Sequence, residues 1–437
     1  MMPQIGRDVR RCASWLPITE PTVFDGAMSW VLLVFGVLVV AGAVNVIIPV
    51  RREPYSVISF AFGGGFGEVP LHSALAALAV AGLLAGFGGL GQWPGLLGAT
   101  LTAAGAALFV WLAVQVRHVP SLVDAALDSA TPGPIAAPDI DLSPVWLTWW
   151  RLAVAIPFRG RTIRRQRDID YWGDGIRRHR LDVITATDGP AEGAPVMVWI
   201  HGGAWVIGDK REQAAPMLYE LARRGWVCVA INYRLSPAAT WPDHIIDCKR
   251  ALVWVREHIS EYGGDPSFLA VSGGSAGGHL AALVALTPGE PQWQPGFEEA
   301  DTSVDACIPF YGVHDMTGEP EASGRYGPGM VEMLERRVMK VSMREHRDVF
   351  EQASPDRRIT SDTPPFFVIQ GANDTLVAPE VARRFVERLR ATSSAAVAYL
   401  ELPWTQHAFE VMATPKARAT ALGAVRFLEG IRARTSR

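Results

Sequence analysis

Two glycine-rich strings carry the residues best suited to chemistry, His201-Gly202-Gly203-Ala204-Trp205 and Gly273-Gly274-Ser275-Ala276-Gly277-Gly278. Each directly follows an apolar run, Val196 to Ile200 and Phe268 to Val271. The second is a Gly-x-Ser-x-Gly string between a strand-like run and an alanine-rich helical one, the setting of a nucleophile elbow. A serine hydroxyl attacks only when a base removes its proton. The elbow holds it on a tight turn, and Gly273 and Gly277 let that turn close. The N–H of Ala276, at a helix N-terminus, points to where an oxyanion develops. In the first string Gly203 and Ala204 are the expected further donors of that oxyanion hole, Gly202 shapes the turn and His201 braces the loop. The chemistry implied is acyl transfer through a serine ester, which needs no metal and no cofactor.

The partners of such a serine follow in the order carboxylate, then histidine. Asp374 directly follows the run Phe366 to Gln370, and His407 follows Ala396 to Leu402. A carboxylate past a strand's C-terminal end lies where open α/β sheets bind ligands. His407 would serve as general base and then general acid, with Asp374 fixing its tautomer. His314 and Asp315 are the alternatives, but they lie one strand too early and read as a solvated turn. His279, four residues after Ser275, reads as packing or polar surface.

These residues need a frame. Further strand-like runs are Arg180–Thr185, Trp226–Tyr233 and Val304–Tyr311, and helical stretches at 212–223, 243–261, 276–286, 379–390 and 416–432 separate most of them. Near-continuous apolar strands alternating with amphipathic helices imply a mostly parallel, doubly wound sheet covered on both faces. Between Tyr311 and Phe366 lie residues the sheet does not need. Met333, Leu334, Val338 and Met339 recur there at helical spacing, as a cap over an apolar site or as a core helix.

The chain has 437 residues, 49% hydrophobic and only 19% charged, with a mean hydropathy of +0.15. The net charge of −3 argues against a nucleic-acid partner. Cysteines at 12, 228, 248 and 307 have no metal-ligand spacing, and Cys228 and Cys248 read as buried free thiols. The apolar excess is concentrated in the first third. Gly26 to Val50 has no charge, and Val69 to Val116 has none apart from His72. A bilayer crossing takes about 20 residues, so three transmembrane helices are expected near 28–49, 71–91 and 95–116. The flanking Arg7, Arg10 and Arg11 balance Arg51, Arg52 and Arg117, leaving orientation open. Arg151, Arg159, Arg161, Arg164, Arg165 and Arg167 would favour a cytoplasmic catalytic domain if they lay at the membrane surface. The expected division is a membrane region at 1–118, a linker at 119–141 and a catalytic domain at 142–437. Cap elements are expected near 142–176 and near 312–360, and Trp146, Trp149 and Trp150 suit a membrane-interface segment, a lid helix over an apolar pocket or a core helix alike.

From about Trp146 onward the chain resembles the hormone-sensitive-lipase-like branch of the α/β-hydrolase superfamily. The matching strings are HGGAW at 201–205, NYRLSPAATWP at 232–242, YGGDPSFLAVSGGSAGG at 262–278, GANDTLV at 371–377 and QHAFE at 406–410. The resemblance implies an α/β-hydrolase fold, Ser275, Asp374 and His407 as a triad, and Gly203, Ala204 and Ala276 as oxyanion-hole donors. The apolar N-terminal third is similar in layout to membrane-anchored carboxylesterases of actinobacteria, implying a multi-pass protein of a bacterial cell membrane acting on an acyl ester, lipid-derived or soluble. An acyltransferase, amidase or peptidase would use the same triad. The family's third loop glycine is Ala204 here, its usual Asp before the nucleophile is Gly274, and its Glu-His pair after Tyr-Arg-Leu-x-Pro is Ala238-Ala239. These departures bear on the substrate.

Overall fold

The computed structural model describes residues 23–52, 54–136, 140, 161–319 and 327–435. The Trp-rich expectation at 146–150, Cys12, the N-terminal arginines, Arg151 and Arg159 lie outside the described residues. Helices α1 (Val23–Ile47), α2 (Tyr55–Gly67), α3 (Pro70–Leu84, prolonged by a wider turn over Ala85–Gly89) and α4 (Trp93–Gln115) form the N-terminal third. Three segments, Gly26–Ile47, Pro70–Gly89 and Trp93–Asp128, are long and apolar enough to cross a membrane. They coincide with the three spans expected from the sequence. Helices α1 and α4 run side by side in the same direction. Trp30 meets Trp93 edge-on at 5.7 Å, and a methyl group on Gly36 would lie 2.3 Å from the Gly98 carbonyl oxygen. Small residues permit that approach.

The stretch expected to be a linker is instead partly helical and docked. Helix α5 (Val119–Asp128) continues from α4 after one tight turn. Val123 fills the space beside Gly423, Asp124 pairs with Arg426, and Thr131 forms a two-way backbone bridge with Val397. The apolar stripe of α5 explains this: Val119, Val123, Ala126 and Leu127 share one face and are buried.

The C-terminal part of the chain is built on an eight-stranded sheet in the order β1-β2-β4-β3-β5-β6-β7-β8. The strands are β1 (Ile163–Asp170), β2 (Arg180–Ala186), β3 (Ala194–Ile200), β4 (Val227–Ile231), β5 (Gly264–Gly274), β6 (Ala306–Phe310), β7 (Phe366–Gly371) and β8 (Val397–Leu402). β1 and β2 join antiparallel, and β4 onward is parallel. Every residue of β3, β4 and β6 is buried, because helices cover both faces. These are α6 (Ala215–Arg223), α7 (Asp243–His258), α8 (Ala276–Leu286), α11 (Pro379–Thr392) and α12 (Pro415–Thr435), with α9 (Gly327–Met333) and α10 (Arg347–Gln352) between β6 and β7. Cys228, Cys248 and Cys307 are buried free thiols.

Arg164, Arg165 and Arg167 belong to edge strand β1, where Arg165 lies 3.6 Å from Asp182. Charges on an edge strand discourage pairing with another chain. In the cap region at 312–360, of which 320–326 lie outside the described residues, Leu334, Val338 and Met339 join the main core with Phe350. That packing is what the core-helix reading of this segment requires.

Candidate active site

Strand β5 ends at Gly274 and helix α8 begins at Ala276, leaving Ser275 alone at the turn with φ +57° and ψ −120°. A non-glycine residue holds that conformation only when its surroundings enforce it. Here the Ser275 N–H donates to the Phe310 carbonyl at 3.0 Å, and its carbonyl accepts from His279. A methyl group on Gly277 would lie 2.1 Å from the Ile200 carbonyl oxygen. Gly277→Ala therefore forces β3 and α8 apart. The expected cost is about 1–3 kcal/mol, read as a lower melting temperature.

The first glycine string wraps over this turn. A methyl group on Gly202 would sit 3.2 Å from Ser275 Cβ. The Gly202 N–H donates to Gln213 Oε1 at 2.7 Å, so it is already engaged, and Gly202, counted with the oxyanion-hole residues of the first string, shapes the turn rather than donating. Gly203 (φ +121°) and Ala204 (φ +52°) take left-handed conformations that carry the chain over the serine. The Ala276 N–H, first in its helix, has no partner within the helix. His201 is buried, stacks on Tyr233 at 4.5 Å and binds the Gly202 carbonyl through Nδ1 at 2.8 Å. Burial lowers its pKa to about 4, which suits a neutral brace.

Asp374 and His407 meet at the same sheet edge. His407 Nδ1 donates to Asp374 Oδ2 at 2.7 Å. Gln370 Nε2 also donates to that oxygen, at 3.1 Å, and the N–H groups of Leu376 and Val377 donate to Oδ1 at 2.8 and 2.9 Å. Four donors thus fix a fully buried carboxylate. Tyr311 links this pair to the elbow. Its ring lies 4.4 Å from that of His407, and its hydroxyl would meet a methyl group on Gly274 at 2.7 Å. The Tyr311 hydroxyl thus takes the space that a side chain at 274 would need, which accounts for glycine at that position.

The alternatives are placed elsewhere. His314 and Asp315 are both buried, contrary to the solvated turn expected. His314 stacks on Phe385 at 4.0 Å, and Asp315 accepts from the N–H and hydroxyl of Thr317 at 2.8 and 2.6 Å. His279 is buried, accepting from the Trp205 indole at 3.2 Å and donating to the Ala353 carbonyl at 2.8 Å.

Sequence reasoning missed one whole neighbour of the site. The loops carrying Asp374 and His407 rest on α1 and α2. Asn373 Nδ2 donates to the Val46 and Ile47 carbonyls at 2.6 and 3.0 Å, Thr375 Oγ1 to the Ser56 carbonyl at 2.9 Å, and Arg51 to the Ala372 carbonyl at 2.8 Å. Lys416 pairs with Glu68 at 2.7 Å. Phe60 stands edge-on to His407, 6.1 Å between ring centres. The candidate edge of the sheet therefore faces the apolar helices, and nothing in the local sequence signals those contacts.

Residues 181–389 match the family model described as BD-FAE. The chain is 53% identical over 262 residues to the probable carboxylic ester hydrolase LipM of Mycobacterium tuberculosis, an alignment covering 60% of each protein. It is 41% identical over 301 residues to Esterase LipC of the same organism, covering 68% of this chain and 73% of LipC. Over the length of LipM and of LipQ, a further relative at 45% identity, the match spans 60% and 61%. Among solved structures, Esterase B of Lactobacillus rhamnosis superposes with a TM-score of 0.53 at 20% identity, covering 68% of this chain and 96% of that one. That likeness concerns the fold, which is an α/β-hydrolase fold preceded by a helical region.

Proposed function

The chain belongs to the hormone-sensitive-lipase-like family of carboxylesterases, and on that premise we propose that it is a serine carboxylesterase held in a membrane by its N-terminal helices. The observation that carries this reading is the Asp374–His407 hydrogen bond beside a serine held on a strained elbow. His407 takes the proton of Ser275 as the hydroxyl oxygen attacks the ester carbonyl. The N–H groups of Gly203, Ala204 and Ala276 are the donors aimed at the resulting oxyanion. The protonated His407 then passes its proton to the departing alkoxide, leaving an acyl-serine. Water, deprotonated by the same histidine, attacks that ester, and the carboxylic acid leaves as Ser275 regains its proton. Asp374, fixed by four donors, holds the imidazole in the tautomer whose Nε2 accepts. The names of LipM, LipQ and LipC as ester hydrolases or esterases support the bond type.

Three crossings would put the N-terminal end of α1 and the catalytic domain on opposite sides of the bilayer. A fluorophosphonate probe is expected to label the full-length protein and not its Ser275→Ala form. A wild type that stays unlabelled removes the serine mechanism.

A further inference from the structure

Helix α2 is an unusual neighbour for a catalytic histidine. It has no charged residue, and its 13 residues extend about 20 Å, against the roughly 30 Å of a hydrocarbon core. It cannot span. One face is buried on the catalytic loops: Ser56 accepts from Thr375, and a methyl group on Gly63 would lie 3.1 Å from the Gln406 side chain. Its outer face carries Val57, Ile58 and Phe62, 60%, 54% and 52% exposed. Beside it an apolar hollow of about 670 Å³ opens between α1, α2 and α3, walled by Leu38, Ile58, Phe62 and Val80 among others. Helices α1 and α3, which flank α2 in the chain, are both long and apolar enough to cross a membrane. So large an uncharged apolar surface, continuous with spanning helices, belongs in lipid rather than water. A helix is about 10 Å thick, so only that thickness separates His407 from acyl chains.

We infer that α2 roofs the acyl site and that the substrate is a long-chain acyl ester resident in the bilayer, its chain lying against Phe60 as its carbonyl reaches Ser275. This rests on the serine-esterase reading and specifies its substrate class. An ester that stays in the bilayer with its chain need move only its carboxyl end past α2, whereas a short soluble ester gains nothing from the apolar wall. Phe60 would then set chain length, as the residue between α2 and the general base.

The test uses the full-length protein in lipid nanodiscs and p-nitrophenyl esters from acetyl to palmitoyl. For the wild type, kcat/KM is expected to rise with chain length. Phe60→Trp should move the preferred length down and Phe60→Ala should move it up. Each should change the palmitoyl-to-acetyl ratio by about tenfold in opposite directions, the scale of one or two lost or added methylene contacts. Phe60→Leu, with an intermediate side chain, should fall between them and guards against a folding defect. Variants that scale every chain length by one common factor overturn the inference, since Phe60 would then only support His407. A wild type indifferent to chain length does the same. Fluorophosphonate labelling separates the two levels. A labelled enzyme with unshifted profiles removes this inference alone, and an unlabelled wild type removes the reading beneath it.

Discussion

Asp374→Asn is expected to lower kcat by about four orders of magnitude on a soluble p-nitrophenyl ester while leaving the melting temperature close to that of the wild type. The size follows from the tautomer. An asparagine in the same place can offer its amide N–H₂ to His407, which leaves the imidazole with its proton on Nε2 and unable to receive one from the serine. The substitution asks one adjustment of the surroundings: Gln370, whose Nε2 donates to Oδ2, must turn its amide to present Oε1 to the new N–H₂. Oδ1 of Asp374 accepts from the N–H groups of Leu376 and Val377, an acceptor that the asparagine carbonyl can keep. The loop therefore retains its anchor while the acid is lost. Asp315→Asn is the control. Its carboxylate binds Thr317 and the Glu319 N–H and makes no contact with His407, so its kcat should remain within a few-fold of wild type. Equal loss in both variants would mean that Asp374 is not the acid.

The contrast between those two aspartates shows what a linear sequence can carry. Asp374 and His407 were legible because each lies just past an apolar run, and the C-terminal edge of a parallel sheet gathers such positions whatever the intervening chain does. Ser275 was legible because its turn demands small neighbours at fixed offsets. Strand β1 was hidden for the opposite reason. Arg164, Arg165, Arg167 and Asp168 mask its alternation, and an edge strand needs little apolar surface to pair with β2. Helix α2 (Tyr55–Gly67) was not among the expected elements: four of its last five residues are glycine, a poor helix former, and its packing on the loops of Asp374 and His407 is tertiary. The burial of His314 could not be inferred either, since its ring stacks on Phe385, a residue of distant α11. Phe60 and Tyr311 reach the site purely through tertiary contact. What is local in the chemistry can be read from the chain, and what supports and covers it cannot.

Acidification from pH 7 to pH 4.5 is expected to unfold the protein steeply, because four histidines are buried as neutral groups. Burial lowers His201 and His244 to about 4 and His279 and His314 to about 3. In the unfolded chain each titrates near 6.5. The stability they contribute is fully present above pH 6.5 and is lost as the pH falls toward the folded values, because the unfolded chain binds the protons first. Each such group contributes a slope of roughly 1.4 kcal/mol per pH unit at most. Four carboxyls raised by burial, Glu410, Asp356, Glu68 and Asp305, act in the other direction, as does His179, raised against its burial by Asp247 and Asp174. Burial raises Glu410 to about 7 and Asp356 to about 6, so the folded state keeps their protons where an unfolded carboxyl near pH 4 has released them. Between about pH 6.5 and 4.5 these protons offset part of the imidazole balance, and carboxylates held low in the fold, Asp168 by Lys210 and Arg211 and Asp247, against its burial, by His179 and Arg234, add to the loss at the acid end. Melting temperatures in detergent should therefore fall continuously across that window. His314 provides the internal check, since both its ring nitrogens lack a hydrogen-bond partner and its ring stacks on Phe385. His314→Phe keeps an aromatic ring there and removes one proton from the balance, so its melting temperature should fall less steeply with acid. A flat profile in the wild type, or the same slope in His314→Phe, would mean that these imidazoles do not stay neutral in the fold.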